Sequence, residues 1–186
     1  MKHSIKLVIL LLVALPTILS AQKWFSRDAK VYFDATTKGS PERIEATNKS
    51  GTVVLEQASG RVEASVLIKG FLFEKALMQE HFNENYMESS KFPKATFKGK
   101  IDNLSAVNFG QNGTYTAQVS GDMTMHGVTK PVKTTATLKV NNGKIGFTAN
   151  FNLLLSDYGI SVPTMVADKL AKEAKVSFTG DLQPMK

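Results

Sequence analysis

The sequence predicts an all-β fold: about eight antiparallel strands, with one amphipathic helix and a short second helix. Three observations predict it. Apolar and polar residues alternate with period two along most of the chain, the pattern of strands with one buried face. Turn signals separate the alternating runs, and strands joined by short turns pair antiparallel. Only two stretches depart from the alternation, and neither is placed to cross over repeatedly between parallel strands. Such a sheet can close on itself, which removes its exposed edges, or split into a sandwich.

A first strand lies near Trp24. In residues 30–37, Val31, Phe33 and Ala35 share one face, and residues 42–49 form a weaker run. Val53 and Leu55 follow in residues 51–57, then Val62, Ala64, Val66 and Ile68 in residues 61–69. Residues 94–101 place Ala95, Phe97, Gly99 and Ile101 on one side. The clearest alternation is in residues 113–125. Tyr115, Ala117, Val119, Gly121, Met123 and Met125 face one way, and Thr116, Gln118, Ser120, Asp122 and Thr124 the other. Residues 132–140 and 144–155 continue it, the latter through Ile145, Phe147, Ala149, Phe151 and Leu153. Residues 175–182 end it through Val176, Phe178, Gly180 and Leu182. Asn142-Gly143 is a two-residue hairpin signal. Ser50-Gly51, Ser59-Gly60 and Asn112-Gly113 are further breaks. Residues 73–88 carry Met78, Phe82 and Tyr86 at helical spacing, the apolar stripe of an amphipathic helix. In residues 163–173 Val166 and Leu170 stand four apart and Pro163 suits a first turn, which predicts the short second helix.

Composition narrows the chemistry. Of 186 residues, 42% are hydrophobic and 21% charged, the make-up of a globular domain. The absence of cysteine excludes disulfides, a thiol nucleophile and cysteine-ligated metal. Residues 1–21 read as a secretory signal peptide: Lys2 and Lys6 precede an apolar run from Leu7 to Leu15, and Ser20-Ala21 offers small residues for cleavage. The run is too short for a bilayer span of about 20 residues. Residues 22–186 are then one domain. Removing the leader takes away two lysines and no acid, so the net charge falls from +7 to +5. The charges are scattered rather than striped, which argues against nucleic acid as a partner. A monomer and a homodimer joined through an exposed strand both fit the pattern.

An eight-stranded barrel is either filled by its own side chains or holds one small ligand. The best candidates for lining such an interior are Phe33, Val66, Phe97, Tyr115, Val119, Met123, Phe147, Phe151 and Phe178. They are interspersed with small inward residues (Ala35, Ala64, Gly99, Ala117, Gly121, Ala136, Ala149, Gly180), which either leave volume or alternate with the large ones to pack a taper. His81 and His126, with Asp122, Glu80 and Glu84, match no metal-ligand spacing. His126 reads instead as a residue that ends a strand and steadies the next turn, and His81 as a contact between helix and barrel. Ser156-Asp157 lacks the glycines of a nucleophile elbow, and no glycine-rich phosphate loop is present. No catalytic residue and no metal ligand is assigned.

Three segments taken together resemble a known family: KFPKATFK at residues 91–98, VSGDMTMHGVTKPV at 119–132 and FNLLLSDYGI at 151–160. MQEHFNENYM at residues 78–87, ahead of Phe92-Pro93, agrees. They resemble the YceI-like proteins, secreted lipocalin-like polyisoprenoid-binding proteins of bacteria. The resemblance runs from about Arg61 to Leu182, and residues 24–60 are more compact than the family's usual N-terminal segment. It implies an eight-stranded antiparallel lipocalin-like barrel closed by a helix, with an apolar tunnel for an isoprenoid chain. It further implies a non-enzymatic periplasmic or secreted protein. The only bound group expected is an isoprenoid or other long-chain lipid, such as a quinone precursor or polyprenol. The alternative is a structural or stress-related envelope protein whose barrel is filled.

Overall fold

The computed structural model describes residues 22–185; the expected signal peptide, residues 1–21, lies outside them. The eight strands are β1 (Lys23–Thr36), β2 (Glu45–Glu56), β3 (Arg61–Leu67), β4 (Lys94–Ile101), β5 (Gly113–Met125), β6 (Val128–Asn141), β7 (Lys144–Leu154) and β8 (Leu170–Pro184). Each pairs antiparallel with the next, and β1 pairs with β8, so the sheet closes into an up-and-down barrel rather than a sandwich. Two hairpins show how the turns are built. Asn142 and Gly143 both take positive φ, 47° and 74°, the requirement of a two-residue turn that matches strand twist. His126 and Gly127 do the same between β5 and β6, at 52° and 76°. Gly127 also lies against the Phe92 ring, where a Cβ would sit 2.6 Å from a ring carbon.

The first two strands are longer and less interrupted than the sequence predicts. The run near Trp24 and residues 30–37 are one strand, and residues 42–49 and 51–57 fuse across the expected break at Ser50-Gly51. The chain passes that point as a register irregularity opposite Ala29. A Cβ on Gly51 would stand 2.8 Å from the Ala29 carbonyl oxygen, so the glycine serves close strand approach rather than a turn. Beyond it, Asn48 is wholly buried. Its side-chain amide donates to the Leu67 carbonyl at 2.8 Å and its oxygen accepts from the Ser50 N–H and hydroxyl, so the polar group is satisfied where β2 and β3 part.

The helix α1 (Ala76–His81) continues through a wider π turn, Phe82–Tyr86, between β3 and β4. The wider turn has a use. Residues spaced by four drift about 40° per step around an ordinary α-helix. The π turn offsets that drift, and Met78, Phe82 and Tyr86 all face the barrel interior. The expected second helix over residues 163–173 is not formed. Only a single 3-10 turn, Thr164–Val166, is present, and β8 begins at Leu170. Leu170, Ala174 and Val176 are buried and share the inward parity of the strand, so period-two burial outcompetes one i, i+4 pair.

The core has two ends. At one, Trp24, Leu55, Ile101, Leu138, Ile145 and Leu182 pack with Val107 and Phe109 from the β4–β5 loop to make a closed floor. The Trp24 indole N–H donates to the Gln57 side chain at 3.1 Å. At the other, Ile68, Met87, Met125, Leu153, Tyr158 and Ile160 pack beneath the helix.

Candidate functional site

Between floor and helix the barrel holds a cavity of about 500 Å³. It falls within the roughly 300–1,000 Å³ of sites that hold small molecules. Its lining is almost wholly apolar, drawn from all eight strands and from the helix, and the barrel is therefore not filled by its own side chains. Eight of the nine sequence-predicted residues line it: Phe33, Val66, Phe97, Val119, Met123, Phe147, Phe151 and Phe178. Tyr115 does not. It shares their face but stands near the start of β5, where it packs on the floor cluster and its hydroxyl donates to the Gln111 carbonyl at 3.0 Å. Alternation gives the face of a residue, not its depth along the barrel.

The small inward residues play two roles. Ala64, Ala117, Ala136 and Ala149 line the cavity and leave it room. The glycines instead receive aromatic rings. Gly99 and Gly121 are directly paired between β4 and β5, and the Phe97 ring lies over both. Gly180, paired with Phe147, lies under that residue's own ring, which meets Phe178 edge to face at 5.1 Å.

Of the aromatic roof, the sequence assigns Phe33 to the interior and Phe82 to the closing helix but leaves Phe71 and Phe73 unassigned. Phe33 of β1 stacks on Phe82 at 5.5 Å, and Phe71 and Phe73 complete the cluster at 5.0–5.7 Å. All four rings line the cavity. The signal lay in Phe71-Leu72-Phe73 ahead of the helix, whose two rings fall on one face only if the segment is extended. At the open rim Leu77 is 62% exposed although it lines the cavity. Glu42 of the β1–β2 loop bonds Lys75, at the helix start, at 2.6 Å and lies 3.7 Å from Lys169 ahead of β8. The Lys75 ammonium holds the Glu42 carboxyl below the ordinary carboxylate range. His81 lines the same rim and is exposed.

His126 is the tie at the helix exit. Its Nδ1 lies 2.9 Å from the Tyr158 carbonyl and its Nε2 3.1 Å from Glu88 Oε1, while the ring meets Phe92 edge to face at 4.9 Å. It thus joins the β5–β6 turn to the segments after the helix and after β7, a wider structural role than steadying one turn. The hydrogen bond from His126 holds the Glu88 carboxyl below its ordinary value. Among the described residues no three His, Asp or Glu side chains cluster as metal ligands, and no helix is long and apolar enough to cross a membrane.

Residues 26–182 match the profile of the YceI-like domain. A UPF0312 protein of Pseudomonas putida (strain GB-1) is 36% identical over 99 residues, which are 50% of this chain and 47% of that protein. The chain thus spans about half the length of the curated relatives it matches. Among solved structures, a polyisoprenoid binding domain from Saccharophagus degradans, implicated in plant cell wall breakdown, superposes with a TM-score of 0.74 at 12% identity. The alignment covers 89% of this chain and 99% of that one. BcnA of Burkholderia cenocepacia superposes with a TM-score of 0.66 at 18% identity, covering 82% and 95%. At these identities the likeness is one of fold. The profile match reaches into every strand of the barrel, and the chain belongs to the YceI-like domain family.

Proposed function

We propose that the protein binds an isoprenoid-type lipid, without catalysis, and stores or carries it in the bacterial periplasm. The observation that carries this reading is the apolar cavity of about 500 Å³ that runs from the floor to the helix. Desolvation supplies the affinity: each buried methylene contributes ~0.8 kcal/mol, so roughly twenty carbons supply ~16 kcal/mol gross, offset in large part by the ordering of a flexible chain. Methionines at 78, 123 and 125 can repack around such a chain. The polyisoprenoid-binding fold neighbour supports the lipid class, and the basic, apolar N-terminal segment supports export. The test is native mass spectrometry of the chain purified from periplasm without detergent. The expected spectrum carries a lipid adduct, or gains one when a polyprenol is added. A bare mass that no prenyl lipid alters would remove the reading in favour of a ligand-free envelope protein.

A further inference from the structure

The barrel wall has a side window. The β6–β7 ladder runs from Asn141↔Lys144 only to Ala136↔Ala149. Above that pair, residues 128–135 and 150–154 lie on facing strands without pairing, while β6 stays paired to β5 up to Val128 and β7 to β8 up to Leu154. One bond bridges the lower part of the gap, from the Thr134 hydroxyl to the Asn150 carbonyl at 3.0 Å. The bond between His126 and the Tyr158 carbonyl closes its top. Pro131, which has no N–H to give a ladder, suits a strand with one free edge.

At the gap the cavity and the outside are parted by a single layer of side chains. Val132, Thr134, Phe151 and Val176 line both the interior and a groove on the outer surface of the barrel. The groove's chemistry is the reverse of the interior's. Lys133 and Lys175 flank it, with Asn150, Asn152 and Thr135 between them, and no carboxylate lines it. Among the described residues neither lysine has a carboxylate within ion-pair distance. Glu45, near the groove's edge, is engaged by the Tyr32 hydroxyl at 2.5 Å and by Arg43 at 3.0 Å. The free strand edges add unpaired backbone groups on either side.

We propose that the window is the head-group site: the lipid's apolar chain lies in the barrel and its polar end emerges between β6 and β7, where Lys133 and Lys175 select an anionic group, a phosphate or carboxylate. This rests on the lipid-binding reading above. The test displaces a fluorescent apolar probe, N-phenyl-1-naphthylamine, from the mature chain with geranylgeranyl phosphate and with geranylgeraniol, whose twenty-carbon chain suits a cavity of about 500 Å³. The phosphate is expected to bind at least about tenfold more tightly, the equivalent of one charge-assisted hydrogen bond. Lys133→Ala with Lys175→Ala should erase that preference and leave the alcohol's affinity and the urea midpoint unchanged. Lys133→Arg with Lys175→Arg should keep it. Equal affinity of the two lipids for the wild type, or a preference that survives the alanine pair, overturns the window assignment while the lipid-binding reading stands. Failure of both lipids to displace the probe removes both. Inorganic phosphate that binds, by isothermal titration calorimetry, as tightly as the phosphate lipid assigns the groove to a free anion and overturns its role for a lipid.

Discussion

At the scale of single residues, the inward glycines set where rings can lie. A Cβ on Gly121 would stand 2.4 Å from the Gly99 Cα and 2.8 Å from the Phe97 ring. Gly121→Ala must therefore push β4 from β5 and lift the ring into the cavity. The expected cost is about 1–3 kcal/mol, typical of overpacking, read as a lower urea midpoint. That these positions face inward was legible in the alternation; that rings rather than empty space cover them was not, because period two carries no distance information. A second residue reports on pH. Burial, followed by the hydrogen bond to Glu45, pushes the Tyr32 hydroxyl up from 10.0 to about 12. The folded state keeps a proton that the unfolded chain gives up above pH 10. The stabilisation is thus complete below pH 10 and lost as pH rises through 12. Urea titrations of wild type and Tyr32→Phe should show a stability gap at pH 8 that closes by pH 12, and a gap constant across that range would refute the assignment.

At the scale of elements, the helix and its exit carry the roof. Its stripe was legible because Met78, Phe82 and Tyr86 recur every four residues, but the π turn that aligns them left no mark in the sequence. The second helix was misread for the opposite reason: one apolar pair spaced by four is weaker than the buried alternation of Leu170, Ala174 and Val176. His126 was visible as the end of a strand, yet its partners Glu88 and Tyr158 lie 38 and 32 residues away, beyond any local pattern. His126→Ala should lower stability by about 1–3 kcal/mol, the cost of leaving the buried Tyr158 carbonyl unbonded. Amide exchange should quicken in residues 82–92 and 155–160 while the floor stays protected, and uniform quickening would argue against a local tie. Glu88 adds an acid limb. Its lowered carboxyl stabilises the fold above the ordinary carboxylate value, and that contribution is lost as pH falls through its folded value. Urea midpoints of Glu88→Gln should therefore fall less steeply under acid than those of the wild type.

At the scale of the molecule, an interior and its wall are made by the same strands, so volume can be traded for binding. Val66 lines the cavity and is half-buried. Val66→Trp should abolish saturable probe uptake while leaving the urea midpoint unchanged or higher, whereas Tyr115→Ala should spare uptake because that ring lies outside the cavity. The barrel class was legible from strand count and turns; the side window was not, since β6 and β7 alternate like their neighbours and only the loss of pairing parts them. The last feature is the seam. Trp24 pairs with Pro184, and the Met185 N–H bonds the Lys23 carbonyl at 2.7 Å. The ring therefore closes between the barrel's first and eighth strands. A chain that stops short of residue 170 would be a curled sheet with two raw edges and no inside at all, so the cavity comes into being in one step, when β8 docks, and cannot be assembled by halves.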